Sequence, residues 1–191
     1  MTPLEIVAIA SVGLVVALGV FVALANFNAV IALQQRADKA WANIDVALKQ
    51  RHDMLPNLVA AVRGLMTYEQ DVLTAVTRAR AAYSPTDPIP AQAATSDQTS
   101  AAVRSLFAVV ERYPDIRAGS SVLDLQDEIE RIEGIIADRR ELYNDQVYRY
   151  NTKIGTLPAV LLAWVFRWTP REFFEAQPSD TVRPDVELTS A

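Results

Sequence analysis

The chain has no cysteine and a single histidine, His52, among 191 residues. Those two shortages exclude a disulfide framework, an iron–sulfur centre, a thiolate nucleophile and any metal site built on several histidines of one chain. Glycine is scarce, at 6 residues, and the glycine loop that cradles phosphate is absent. Positive charge is also in short supply: 18 Lys and Arg stand against 23 Asp and Glu, with no basic run. A nucleic-acid-binding face needs such a run, so nucleic acid is not an expected partner. A nucleophile, base and orienting group for hydrolysis would have to be assembled around His52 alone. No catalytic, cofactor-binding or metal-ligating residue is therefore assigned, and a non-enzymatic protein is expected.

What the chain does have begins with "IVAIASVGLVVALGVFVALA", Ile6–Ala25, free of charge and proline. At about 1.5 Å per residue this run gives roughly 30 Å of helix, the thickness of a bilayer core. Ala23-Leu24-Ala25 resembles a signal cleavage site, but the front end carries Glu5 and no Lys or Arg. A secretory signal has a basic start and a shorter apolar core, so residues 1–28 are read as a membrane anchor. The nearest basic residues, Arg36 and Lys39, follow the run. The positive-inside tendency then places the N-terminus outside and the following domain in the cytoplasm of a single-pass inner-membrane protein.

From Trp41 a stripe runs in alternating steps of three and four through Ile44, Leu48, Arg51, Leu55, Leu58, Val62, Leu65, Glu69, Val72, Val76 and Ala79 to Tyr83, apolar but for Arg51 and Glu69. A second runs from Leu125 through Ile129, Ile132, Ile136, Tyr143, Val147, Tyr150 and Ile154 to Leu157. Ala91–Glu111 forms a shorter helical stretch, with Val103, Leu106 and Val110 on one side. "SPTDPIP" (Ser84–Pro90) and "YPDIRAGSS" (Tyr113–Ser121) break the rhythm. Helices with single apolar stripes bury them against each other. The expected fold is all-α: one N-terminal transmembrane helix followed by an elongated antiparallel helical bundle over residues 29–157.

Pro56 admits two readings. Lys49, Arg51 and His52 could end a helix and Asp53 cap the next, making a hairpin. The unbroken phase through Leu48, Leu55 and Leu58 instead suits one long helix kinked at the proline. The absence of Gly or Asn between Lys49 and Pro56 favours the second.

Arg51, Glu69 and Arg139 or Arg140 fall on stripe positions where apolar side chains are expected. A buried charge needs a mate, and Glu69 with Arg139 or Arg140 is the first choice of pair. Asn57, Tyr143, Asn144, Tyr150 and Asn151 join these in an expected structural polar network. The tyrosines repeat at seven residues and share a face, where packing with bonded hydroxyls is the usual outcome. Asp124, Asp127, Glu128, Glu130 and Glu133 read as a solvated acidic face, since no Glu-x-x-His pair accompanies them.

Residues 158–176 are apolar and aromatic. Trp164, Phe166, Arg167, Trp168, Phe173 and Phe174 suit either a membrane interface or a short segment closing the bundle. The polar tail, 177–191, is expected to be flexible.

The chain resembles the LemA family of bacterial membrane-anchored proteins. The likeness rests on "WANIDVALKQRHDMLPNLV" (Trp41–Val59), Arg63-Gly64, Glu69, Ala79-Arg80, "YPDIRA", Leu125-Gln126, "RRELYNDQVYRYNTKIGTLP" (Arg139–Pro158) and "FFEA". Tyr68 and Leu65 stand where that family usually has histidine and tyrosine. The resemblance implies a membrane-associated scaffold or accessory protein, linked to membrane organisation and remodelling, without catalytic activity. Expected partners are the lipid bilayer, further copies of the chain in a homo-oligomer, and a membrane-protein partner.

Overall fold

In a computed structural model, residues 3–63, 69–113 and 120–175 are described. They form five helices and no strand: α1 (Pro3–Arg63), α2 (Gln70–Ala81), α3 (Ile89–Val110), α4 (Ser120–Gly155) and α5 (Ala159–Phe166). The expected all-α class holds. The flexible tail and most of the break after Tyr113 lie outside the described residues.

The dominant element is α1. Its first third is the apolar run, an 18-residue window of mean hydropathy 2.8, none of it buried by protein. Its length and composition fit a bilayer crossing. The helix then continues without a break through Pro56, so the hairpin is excluded. Pro56 itself is exposed. Its ring faces solvent, where the carbonyl it leaves unpaired can bond water.

The seven-residue phase nevertheless misled at Glu69. The expected stripe passes from Val62 to Val76 as one helix, whereas α1 ends at Arg63 and α2 starts at Gln70, with Glu69 at its N-cap. The buried residues of α2 are Leu73, Val76 and Ala79, so the inward face is carried by Leu73, with Val72 only half-buried. Two helices happened to keep nearly one phase.

The chain divides into two compact units. Among the described residues, one comprises 3–47 and 135–173, the other 48–134 together with Phe174 and Glu175. In the second unit, Leu55, Leu58, Val59 and Val62 of α1 pack with Leu73 and Val76 of α2, Val103, Leu106, Val109 and Val110 of α3, and Val122 and Ile129 of α4. α3 starts where the proline segment ends, with Pro88 at its N-cap and Pro90 in its first turn, positions that need no N–H donor.

In the first unit, Val30 of α1 packs with Tyr150 and Ile154 of α4 and Ala159 and Ala163 of α5, edged by Leu33 and Trp168. Asn26 meets Lys153 and Trp41 meets Tyr143, so α1 and α4 run antiparallel here. The Leu157–Pro158 peptide is cis.

An exposed proline inside a helix costs about 3 kcal/mol relative to alanine when nothing compensates. Pro56→Ala is therefore expected to stabilise the protein, by about 1–3 kcal/mol. Urea unfolding of the two forms checks this; a loss of stability would show that the proline supports packing.

Candidate functional site

Three polar or aromatic constellations stand out, and each is built from elements within one unit. The first surrounds Arg51, which is 3% exposed and sits in the α1 stripe between Leu48 and Leu55. Room for a guanidinium exists because α3 presents short side chains, Ser96 and Ser100, one turn apart. Nη1 donates to Glu133 Oε1 at 2.7 Å and to Ser100 Oγ at 2.8 Å. Nη2 donates to Ser96 Oγ at 2.9 Å and, more weakly, to the Ser96 carbonyl at 3.4 Å. Ser100 Oγ in turn lies 2.6 Å from Glu133 Oε2. Both carboxylate oxygens are thus engaged by groups on two other helices.

This arrangement fixes the register of α1, α3 and α4 against one another, since a one-turn slip of any helix would strand a buried charge. Sequence reasoning found Arg51 but not its mates. Glu133 was placed on the solvated acidic face, yet it turns inward. The Gln92, Ser96, Thr99 spacing on α3, all buried, was the available signal: a polar inner stripe that only a polar partner could meet. The rest of the acidic face behaves as expected, with Glu128 paired to Arg131 one turn on. That arginine's hydrogen bond holds the Glu128 carboxyl below its ordinary range.

Glu69 is handled differently. The mates expected for it were Arg139 or Arg140; those observed are Arg112 Nη2 and the Tyr113 hydroxyl, both at 3.4 Å. Arg112 is largely exposed, so these long contacts contribute little stability. Asn57 is exposed and lies outside any buried network. Arg139, Arg140 and Asn144 are half-exposed. His52 rests against Tyr83 with ring centroids 5.2 Å apart, and its Nδ1 is buried without a hydrogen bond. Among the described residues no cluster of His, Cys, Asp or Glu could hold a metal.

The second constellation explains the Tyr-Asn repeat. After α5 the chain returns along α4 as an irregular segment whose peptide groups need partners. Tyr143 donates to the Glu172 carbonyl at 2.9 Å and Tyr150 to the Thr169 carbonyl at 3.2 Å. Asn151 pairs with Arg171 twice, donating to its carbonyl at 3.0 Å and accepting from its N–H at 2.8 Å. The Arg171 side chain lies 5.5 Å over the Tyr150 ring and bonds Asp38 of α1 at 2.5 Å. Both tyrosines are buried, at 1% exposure. Burial pushes their hydroxyls above the ordinary phenol range, with Arg171 opposing and Asp38 reinforcing the shift. The seven-residue repeat therefore latches a main chain.

The third is aromatic. Phe27 of α1 contacts Phe166 and Trp168 at centroid distances of 5.0 and 5.6 Å, and those two rings stack at 5.5 Å. Trp164 is exposed to 84%, and Phe166, Arg167 and Phe173 are also exposed. Phe174, expected at the same interface, is fully buried and cannot face lipid.

Comparison with known proteins fits this architecture. Residues 40–188 match the model of the LemA family. The chain belongs to the LemA family. Two curated relatives, magnetosome proteins MamQ 1 and MamQ 2 of Paramagnetospirillum magneticum (strain ATCC 700264 / AMB-1), are each 33% identical over 78 residues. That segment covers 41% of this LemA-family chain and 29% of each relative.

Two outcomes follow. Removing one partner of a buried, bonded pair leaves the other charge stranded, so Glu133→Gln should cost about 1–3 kcal/mol. Arg51→Met with Glu133→Gln should cost less than the sum of the single changes, as read by a double-mutant cycle in urea; strict additivity would contradict the pairing. For the tyrosines, a folded value raised above the unfolded one means their stabilisation is intact below about pH 10 and lost above it. Tyr143→Phe/Tyr150→Phe should lose about 1 kcal/mol per hydroxyl at neutral pH, yet decline less steeply as the pH rises above about 10. An unchanged alkaline slope would contradict the burial effect.

Proposed function

We propose that this LemA-family protein is a non-catalytic, membrane-anchored scaffold that self-associates and organises or remodels the bilayer it sits in. One observation carries the reading: the uncovered apolar run and the core-forming stripe belong to a single helix, α1. An anchor tied on by a linker would hold a domain near the membrane. An anchor continuous with the first unit's own core helix makes position and tilt in the bilayer a property of the folded domain.

Self-association draws support from the anchor. Confinement to a surface raises the effective concentration of every copy without new contacts. Gly13-x-x-x-Ala17 and Gly19-x-x-x-Ala23 are small-residue pairs, and both glycines face open space. A role in membrane organisation agrees with the relatives, which are named for the magnetosome. The lack of cysteine and the single histidine support a non-catalytic role.

The inner membrane of a bacterium, with the N-terminus outside and the bundle in the cytoplasm, is the proposed setting. Arg36 and Lys39 set that bias. Lys153, bonded to Asn26 at 2.7 Å, and Arg167, on the segment packed against Phe27, add positive charge at the same end of the apolar run.

Chemical crosslinking of the full chain in its native membrane tests the proposal. A ladder of self-products that shortens when Gly13 and Gly19 are both replaced by Ile is the expected result. A single adduct with one unrelated membrane protein would make the chain an adaptor instead, and a lone monomer band would remove the scaffold.

A further inference from the structure

The eight residues of α5, Ala159–Phe166, are all apolar, yet only part of the helix is covered. Ala159 and Ala163 pack inward, with Leu162 half-buried. The other side presents Leu157 at 76%, Leu161 at 64%, Trp164 at 84% and Val165 at 62% exposure. Within the helix, Leu161, Trp164 and Val165, spaced by three and four residues, draw an apolar stripe on the outside of the unit, with Leu157 exposed just before the helix begins. Patches of this kind mark a surface that something covers.

The depth of that stripe relative to the apolar run is set twice over, by contacts inside one unit. Phe27 stands two residues beyond Ala25, about 3 Å further along α1, and it touches Phe166 and Trp168. Lys153 Nζ donates to Asn26 Oδ1 at 2.7 Å, and an ammonium group settles where hydrocarbon ends. Both contacts put α5 at the rim of the apolar run, within the headgroup layer that extends about 5–8 Å beyond the hydrocarbon.

The chemistry suits that layer. Tryptophan and phenylalanine beside arginine are the groups that collect at a membrane interface. Arg167 ends α5 with φ 54°, and among the described residues its side chain has no ion-pair partner. An open hollow of about 570 Å³ lies beside it, lined by Ala163, Trp164, Val165, Trp168 and Thr169. A guanidinium at the edge of an apolar hollow is placed for a lipid phosphate above acyl chain.

We infer that α5 is an interfacial helix whose outer stripe is buried in the same leaflet that α1 leaves, giving the protein two membrane contacts from one end of its first unit. This rests on α1 acting as the anchor proposed above, and the test separates the two. Because the chain has no native cysteine, single-cysteine variants can carry one nitroxide each in full-length protein reconstituted into phosphatidylcholine–phosphatidylglycerol vesicles. Val15→Cys reports the anchor, Leu161→Cys and Val165→Cys report α5, and Leu142→Cys on α4 lies about 16 Å from the level of Lys153. All four are exposed positions, so the fold should tolerate them.

In power-saturation measurements, collisions with oxygen should exceed those with a water-soluble nickel chelate at positions 15, 161 and 165, with the order reversed at 142. If 15 is oxygen-accessible while 161 and 165 favour nickel, the interfacial helix is overturned and the anchor stands. If 15 also favours nickel, both fall. If 161 and 165 exclude both agents and show dipolar broadening, a second copy covers the stripe and the lipid assignment is overturned.

Discussion

Everything in this molecule depends on the backbone hydrogen bonding of α1. Within hydrocarbon a peptide group has no water to bond, so a lone crossing segment must be a helix. Once formed, that helix meets nothing in the next residues to end it: no glycine and no proline occur between Gly19 and Pro56. On the proposed crossing, the same rod emerges from the bilayer with its rise and rotation already set. Val30, Ala37, Ala40 and Ile44 are buried along it, and the first unit is assembled on that face.

Polar groups do two distinct jobs on this frame. Around Arg51, four donor contacts and an α4 carboxylate reached from α1 and α3 specify which turn of each helix faces which. Hydrophobic stripes are poor at that task, because a slip of one turn still buries apolar surface. Around Tyr143, Tyr150 and Asn151 the task is to satisfy the peptide groups of a segment that has left helical conformation. That segment is the chain arriving from α5, so the latch on α4 and the Asp38–Arg171 bond also hold α5 beside Phe27.

The parts of this fold visible in the sequence are those governed by local chemistry. The apolar run needs only length and hydropathy to be recognised. Ile129, Ile132, Ile136, Tyr143, Val147 and Tyr150 fall inward as their spacing requires, and the prolines before α3 end one helix and start the next. What escaped depended on neighbours. The end of α1 was hidden because α2 nearly preserves its phase, so Glu69 looked like a stripe position instead of a cap. Glu133 could not be told from the acidic residues around it until α3 supplied the serines. Asn57 and Phe174 show the same limit in opposite directions, one exposed and one buried, for reasons that lie in tertiary packing.

Hydrogen exchange along α1, measured on the full chain in lipid nanodiscs, tests the central claim most directly. A single membrane-crossing, core-forming helix requires slow exchange from the apolar run through residues 26–47 without a gap. A stretch of fast-exchanging amides between residues 26 and 40 would make the anchor a tethered leader, and the account of a domain built on its own membrane helix would fail.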